Sequence, residues 1–142
     1  YIDLALLHWP FCVEEFCGRG DRGAPLGDAL DAYAALAEAK RKGWVRAIGL
    51  SNFDVALLEE FFEEIDAVRE ISPSVLQNPL DPMNPPPRPL LRLLKERGVV
   101  LQGVGLLGFD MRVLRRDALM DRRTEHVLSP VATHKTVQRI AA

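Results

Sequence analysis

Residues 42–54 read KGWVRAIGLSNFD. The stretch starts as a helix end, because Lys42 follows two other basic residues and Gly43 can adopt the left-handed conformation that closes a helix. Its centre, residues 45–50, is apolar apart from one arginine, which is typical of a buried strand. Its last residue, Asp54, is a good N-cap. The stretch therefore predicts a strand between two helices.

The same alternation extends to both sides. Upstream, the nearly continuous apolar run 2–7 predicts a strand, a glycine-bearing loop covers 11–26, and a helix begins at Gly27 or Asp28. Downstream we predict a helix over 55–66, a strand over 75–77, a proline-rich loop over 78–88, a helix from Pro89 at N1 to Gly98, a strand over 99–104 and a final helix from about Pro130. This order of elements predicts a parallel sheet with right-handed crossovers.

A doubly wound sheet and a barrel both fit this order. No G-x-G-x-x-G follows a strand, so the dinucleotide fingerprint of the open sheet is absent. Polar residues instead follow three strand ends, as His8, Ser51-Asn52 and Gln77-Asn78. In a (β/α)8 barrel this rim is where active sites are built. We therefore expect an α/β fold, a partial TIM barrel of about four βα units, with 1–142 forming a single incomplete domain.

Composition excludes several classes of protein. The chain has 142 residues, of which 48% are hydrophobic and 27% charged, with a formal net charge of −2. These values exclude disorder, and the low charge argues against a nucleic-acid-binding surface. No apolar run reaches the roughly 18 residues of a membrane span. Cys12 and Cys17 are too widely spaced for a C-x-x-C pair, so we expect free thiols in the cytoplasm, with a disulfide as the alternative.

Four segments resemble aldo-keto reductases. Residues 6–10, LLHWP, are similar to the LIHWP segment of that family, and 42–53 are similar to its G-K-V-R-x-I-G-V-S-N-F segment. Residues 73–77, PSVLQ, resemble its P-x-V-N-Q, and 98–108 resemble its G-I-x-V-x-A-Y-S-P-L-G. The first two segments are specific, the last two are weak alone, and all four occur in the family's order.

The resemblance implies a TIM barrel that transfers hydride from NADPH to a small carbonyl substrate, with this chain covering the fourth to seventh strands and the next helix. It assigns His8 as the catalytic histidine that orients the carbonyl and assists proton donation, and Trp9 as an apolar wall of the substrate pocket. Ser51, Asn52 and Gln77 match the residues that bind the nicotinamide carboxamide. No metal ion is implied.

Each assignment has a structural alternative. A lone histidine at a strand end is often structural, and Trp9 suits core packing equally well. Ser51 and Asn52 are also ordinary residues for the first turn of a helix. Gln77 suits a solvated strand end.

The chain departs from the family pattern at several positions. Val104 stands where the family has the tyrosine that stacks on nicotinamide, and valine lacks a π surface. Residues 105–107, GLL, replace S-P-L, and residues 79–82, PLDP, replace E-x-H-P. These changes favour a divergent branch of the family.

The family's proton-donating tyrosine, with its lysine and aspartate partners, has no counterpart among these residues. We therefore expect the 142 residues alone not to reduce carbonyls. The alternative is a catalytically silent relative that serves as a regulatory or binding module. An unrelated interpretation is a metal-dependent barrel hydrolase with His8 and Asp81 as ligands. Four strands cannot close an eight-stranded barrel, so we expect a marginal, aggregation-prone monomer that can self-associate, or a partner that completes the barrel.

Overall fold

The computed structural model describes residues 1–10, 26–106, 135 and 139. Four strands alternate with three helices: β1 (Ile2–Leu7), α1 (Gly27–Arg41), β2 (Val45–Ser51), α2 (Val55–Ala67), β3 (Val75–Pro79), α3 (Arg88–Arg97) and β4 (Val100–Val104). Lys135 and Arg139 are helical, where the final helix is predicted. The rest of that helix, the two cysteines and the loop over 11–25 lie outside the described residues.

The described strands form one sheet in the order β1-β2-β3-β4. Strand β1 pairs in parallel with β2, with Ile2 opposite Val45 and Leu7 opposite Leu50. Strand β2 pairs in parallel with β3, with Ser51 opposite Gln77. The predicted parallel α/β arrangement is confirmed, and the carboxyl ends of the first three strands meet at one edge of the sheet.

Helix α1 ends, and helix α2 begins, with the capping residues that the sequence predicts. Helix α1 ends at Arg41, and Gly43 takes a left-handed φ of 75° one residue beyond the C-cap, Lys42. Asp54 caps α2 by accepting a hydrogen bond from the backbone N–H of Leu57 at 2.9 Å. Such caps stabilise a helix by about 1 kcal/mol.

Several predicted boundaries were wrong by one or two residues, and two of them involve prolines. Strand β3 continues through Pro79, because a proline is compatible with extended backbone and lacks only the N–H of its own position. Helix α3 starts at Arg88 with Pro87 as its N-cap, so Pro89 lies at N2 and not at N1. At the other end Gly98 closes α3 with a φ of 67°, as predicted.

The chain divides into two compact units. The first contains Tyr1–Asn78 and Pro87–Gln102. Its core packs the helices against the sheet, and the largest side chains that it buries completely are Tyr33, Phe53, Phe61, Phe62 and Ile48. The second contains Pro79–Pro86 and Gly103–Ala142, of which the structure describes 79–86, 103–106, 135 and 139.

The buried Tyr33 makes the free energy of unfolding depend on pH in the alkaline range. The side chain is 1% exposed, and its hydroxyl donates a hydrogen bond to the carbonyl oxygen of Ile71 at 2.9 Å. Burial, with a smaller contribution from the charge of Glu70, raises the pKa of Tyr33 well above its usual value. A raised pKa means that the folded chain retains this proton when the unfolded chain has lost it. The stabilisation is therefore complete below pH about 10 and is lost as the pH rises above that value.

We expect Tyr33→Phe to lower the free energy of unfolding by about 1 kcal/mol at pH 7, because the Ile71 carbonyl loses its donor. Between pH 7 and pH 11 the natural chain should lose more stability than the variant does. Urea midpoints measured by circular dichroism at both pH values test this, with Tyr1→Phe at the exposed second tyrosine as the control. An identical pH response of all three chains would contradict the prediction.

Candidate active site at three strand ends

Polar residues from three strand ends are joined by hydrogen bonds through Asn52. The Asn52 side-chain Nδ2 donates to the backbone oxygen of His8 at 2.7 Å and to Ser51 Oγ at 3.1 Å. The backbone N–H of Asn52 donates to the carbonyl oxygen of Gln77 at 3.1 Å. One residue thus connects the end of β1, the end of β2 and the end of β3.

The Ser51 hydroxyl is fixed within the same network. Ser51 is 2% exposed, and its Oγ donates to the carbonyl oxygen of Gln77 at 2.8 Å while it accepts from Asn52. A buried hydroxyl with both a donor and an acceptor partner holds one orientation. The Ser51 hydroxyl and the Asn52 amide therefore hold each other in one arrangement.

Asn52 has a left-handed backbone conformation, with a φ of 63°. Asparagine is among the few non-glycine residues that tolerate this region. The conformation turns the chain sharply between β2 and the Asp54 cap, which directs the Asn52 amide toward His8. The sequence pattern alone did not show why an asparagine is needed here.

Gln77 lies half-buried in β3, at the last residue of that strand that pairs with β2. Its Nε2 donates to Gln102 Oε1, at 3.1 Å, from neighbouring strand β4. Gln77 is therefore oriented by a second glutamine that sequence reasoning missed. The signal was present, because Gln102 follows a valine and a leucine in its strand as Gln77 does in β3.

His8 and Trp9 follow β1, and both are exposed. Their ring centroids lie 5.4 Å apart with an interplanar angle of 38°. The Asn52 amide donates a hydrogen bond to the backbone of His8, which fixes the position of the backbone that carries the imidazole. Trp9 is 39% exposed, so its ring is not part of the buried core of the described residues.

Asn78 is a further polar residue at this edge, and sequence reasoning assigned it no role. Its Nδ2 donates to the carbonyl oxygen of Phe53 at 2.7 Å, which ties the turn after β2 to the end of β3. Its Oδ1 is buried and has no partner among the residues that the structure describes. The hydrogen bond from Nδ2 therefore holds the turn in place.

The described part of the second unit contains the segments that depart from the family pattern. Asp81 accepts hydrogen bonds from the side chain of Asn84 at 2.9 Å and from the backbone N–H of Met83 at 2.7 Å. The Asn84 side chain, together with the two backbone N–H groups of Met83 and Asn84, holds the pKa of Asp81 below its usual value. Val104 is half-buried, and its carbonyl oxygen accepts from Leu80 at 3.0 Å. The Asp81 carboxylate thus accepts its hydrogen bonds from residues of its own loop.

Two other kinds of feature are absent from the part of the chain that the structure describes. It contains no group of three or more His, Cys, Asp or Glu that could hold a metal ion. None of its helices is long and apolar enough to cross a membrane.

A sequence model of the Aldo/keto reductase family matches residues 1–141. This chain belongs to the aldo-keto reductase family. It is 31% identical to the NAD(P)H-dependent D-xylose reductase of the yeast Scheffersomyces stipitis, in an alignment that covers 100% of this chain and 45% of that protein. The resemblance seen in the four sequence segments is thereby confirmed.

Solved aldo-keto reductases share the fold of the chain. The apo form of Gox0644 is 30% identical, with a TM-score of 0.55 over 81% of this chain and 36% of that one. The Bombyx mori aldo-keto reductase solved with NADP is 24% identical, with a TM-score of 0.59 over 74% of this chain and 31% of that one. The chain thus spans under half the length of the yeast relative and forms part of an aldo-keto reductase barrel.

The polar groups of this aldo-keto reductase site fit a carboxamide. Asn52 Oδ1 is left as an acceptor within the described residues, and the Gln77 amide has both an acceptor oxygen and a second N–H. A primary amide offers the complementary donors and acceptor.

We expect Asn52→Asp to destabilise the chain by about 2 kcal/mol, because a carboxylate oxygen would replace the Nδ2 that faces the His8 carbonyl. Aspartate tolerates the left-handed backbone, so the loss reports on the amide donors. Asn52→Gly should cost less, since glycine relieves the strain of the positive φ. Urea denaturation of the three chains tests this, and equal midpoints for Asn52→Asp and the natural chain would contradict it.

Proposed function

We propose that this chain is the part of an NADPH-dependent aldo-keto reductase that holds the nicotinamide end of the cofactor and presents His8 to a carbonyl substrate. The observation that carries the proposal is the Asn52 network, which gathers His8, Ser51 and Gln77 at one sheet edge. Among the relatives, the yeast protein supports the proposal, because it is named as an NAD(P)H-dependent reductase.

Ser51, Asn52 and Gln77 would bind the carboxamide and so fix one face of the nicotinamide ring toward the substrate. Bound NADPH supplies the hydride. The backbone of His8 is held by Asn52, so its imidazole can be kept within hydrogen-bond reach of a carbonyl oxygen beside that ring. A neutral imidazole N–H donates to an oxygen that gains negative charge during the reaction.

Trp9 is proposed to contact the apolar part of the substrate. Its ring is 39% exposed next to the imidazole of His8, at a centroid distance of 5.4 Å. A large flat side chain beside the imidazole that orients the carbonyl favours apolar or aromatic aldehydes and ketones, because they bury surface against it.

We expect the 142-residue chain to bind NADPH without oxidising it in the presence of an aromatic aldehyde. General acid catalysis needs a donor within about 3 Å of the carbonyl oxygen, and no residue here matches the family's tyrosine. Binding is measured from NADPH fluorescence, and turnover from absorbance at 340 nm. Gln77→Ala should weaken binding about tenfold, since one carboxamide contact is lost.

Ser72→Ala, at an exposed serine away from the strand ends, is the control and should bind as the natural chain does. Absence of any NADPH binding would overturn the proposed function. Turnover that His8→Ala abolishes would show that the chain supplies its own proton donor, against the expectation of binding alone.

A second candidate is a catalytically silent aldo-keto reductase relative that binds nucleotide as a regulatory module. Val104 favours it, because a valine at the position of the stacking tyrosine holds the nicotinamide ring less firmly. Val104→Tyr distinguishes the two functions. A reductase branch should gain cofactor affinity from the restored ring, whereas a module adapted to another nucleotide should not.

A further inference from the structure

A groove of about 210 Å³ lies between α1 and the end of α2. Four of the side chains that line it are aliphatic, and they come from both helices: Leu30 and Ala34 from α1, and Ile65 and the C-cap Val68 from α2. Val68 is 73% exposed, so most of its apolar surface is open to a partner. Because pockets for small molecules usually span roughly 300–1,000 Å³, this α1–α2 groove is better suited to an anchoring side chain of a protein partner.

Three carboxylates line the same groove, and only one of them is neutralised within the described residues. Glu70 forms an ion pair with Arg41 and also accepts a hydrogen bond from the backbone N–H of Ile71 at 2.6 Å. Asp31 and Glu64 are exposed and form no ion pair with any described residue, and no basic residue lines the groove. The contact between Glu70 and Arg41 shows that this surface accepts a basic side chain.

The charge of α2 does not stabilise the helix itself. The helix has no basic residue and five carboxylates, on Glu59, Glu60, Glu63, Glu64 and Asp66. Glu60 and Glu64 are four residues apart, a spacing at which like charges repel, and Glu64 lies in the last turn, where the helix dipole disfavours acids. Helices α1 and α3 instead have basic residues in their last turns. A cationic partner would relieve the repulsion along α2.

We propose that the α1–α2 groove is a docking surface for a basic amphipathic helix of another protein. Such a helix places apolar side chains in a groove, and its lysines or arginines then reach Asp31 on one side and Glu64 on the other. Charge complementarity selects this partner, because a second copy of the chain would bring its own acidic α2 and a net charge of −2. A metal ion does not fit, since the described residues contain no group of acids that could hold one.

The probe is a synthetic peptide made of two repeats of Lys-Leu-Ala-Lys-Leu-Ala-Lys, whose leucines fall on one face of a helix. A second peptide has glutamate in place of every lysine, and a third has serine in place of every leucine. Dissociation constants are measured by fluorescence anisotropy on the natural chain. We expect the first peptide to bind at least about tenfold more tightly than either of the others, because docking needs both the charges and the apolar face.

Variants of the groove locate the binding surface. The double variant Asp31→Asn with Glu64→Gln should weaken binding of the first peptide about tenfold, since each exposed ion pair contributes about threefold. Val68→Ser should weaken it about fivefold, because the apolar anchor loses its contact. Glu96→Gln and Val100→Ser, at exposed positions of α3 and β4, are the matched controls and should change the affinity by less than about twofold.

The stability of the variants separates docking from a structural role. Glu64→Gln removes a repulsion with Glu60, so it should keep or raise the urea midpoint while it weakens peptide binding, whereas a merely structural role would lower both. Equal binding of the three peptides, no binding of the first, or equal losses in the groove variants and their controls would overturn the inference. A dimer that Glu64→Gln dissociates in analytical ultracentrifugation would also overturn it, because a second copy would then occupy the groove.

Discussion

Phe61→Ala should lower the free energy of unfolding by about 4 kcal/mol, the largest loss that we expect from a single core substitution. Phe61 is 0% exposed in the centre of α2. Its ring packs edge-on against Tyr33 at a centroid distance of 4.9 Å and against Phe53 at 5.5 Å. The substitution removes these ring contacts and leaves a cavity that rigid neighbours cannot fill.

Urea denaturation followed by circular dichroism measures this loss. Phe61→Leu, which leaves a smaller cavity, should cost about half as much, and Glu63→Ala on the exposed side of α2 should stay within about 0.5 kcal/mol of the natural chain. A Phe61→Ala chain as stable as the Glu63→Ala control would show that the aromatic cluster does not stabilise the first unit.

Gly49→Ala should cost about 3 kcal/mol, although glycine here has no special backbone conformation. A Cβ at this position would lie 2.4 Å from the carbonyl oxygen of Val75 and 2.7 Å from Leu6 Cδ2. The leucine side chain can rotate, but the carbonyl belongs to strand β3 and can move only with the strand. The alanine therefore separates β2 from β3, at a cost typical of severe overpacking.

Because Gly49 lies two residues before Ser51, this separation should also weaken the Ser51–Gln77 hydrogen bond and with it the proposed cofactor binding. The urea midpoint should fall by about 2 M, as judged from ordinary denaturant slopes. Gly27→Ala is the matched control, because a Cβ there meets nothing within 4 Å. Equal midpoints for the two alanine variants would refute the steric argument.

The sequence predicted the elements well because their signals are local. The apolar run of β1, the Asp54 cap and the glycine after α1 each depend on neighbours within a few residues, and each was confirmed. The proline boundaries were wrong because proline excludes only specific hydrogen bonds, and whether a hydrogen bond is needed depends on the neighbouring strand.

The site was predicted as separate residues and not as a network. The resemblance to aldo-keto reductases pointed to His8, Ser51, Asn52 and Gln77, and the structure joins them through side-chain and backbone hydrogen bonds. Gln102 and Asn78 were missed because their partners are 25 residues distant along the chain. Such partners become neighbours only when parallel strands align.

By itself the sequence determined the alternation of strands and helices, the family, and the residue types at the strand ends. Periodicity, caps and turns act over a few bonds, so a linear chain is enough to reveal them. Only the tertiary structure decided which N–H and O–H groups of the site already donate hydrogen bonds within the protein. The direction of the Asn52 amide is set by the carbonyl of His8, 44 residues earlier.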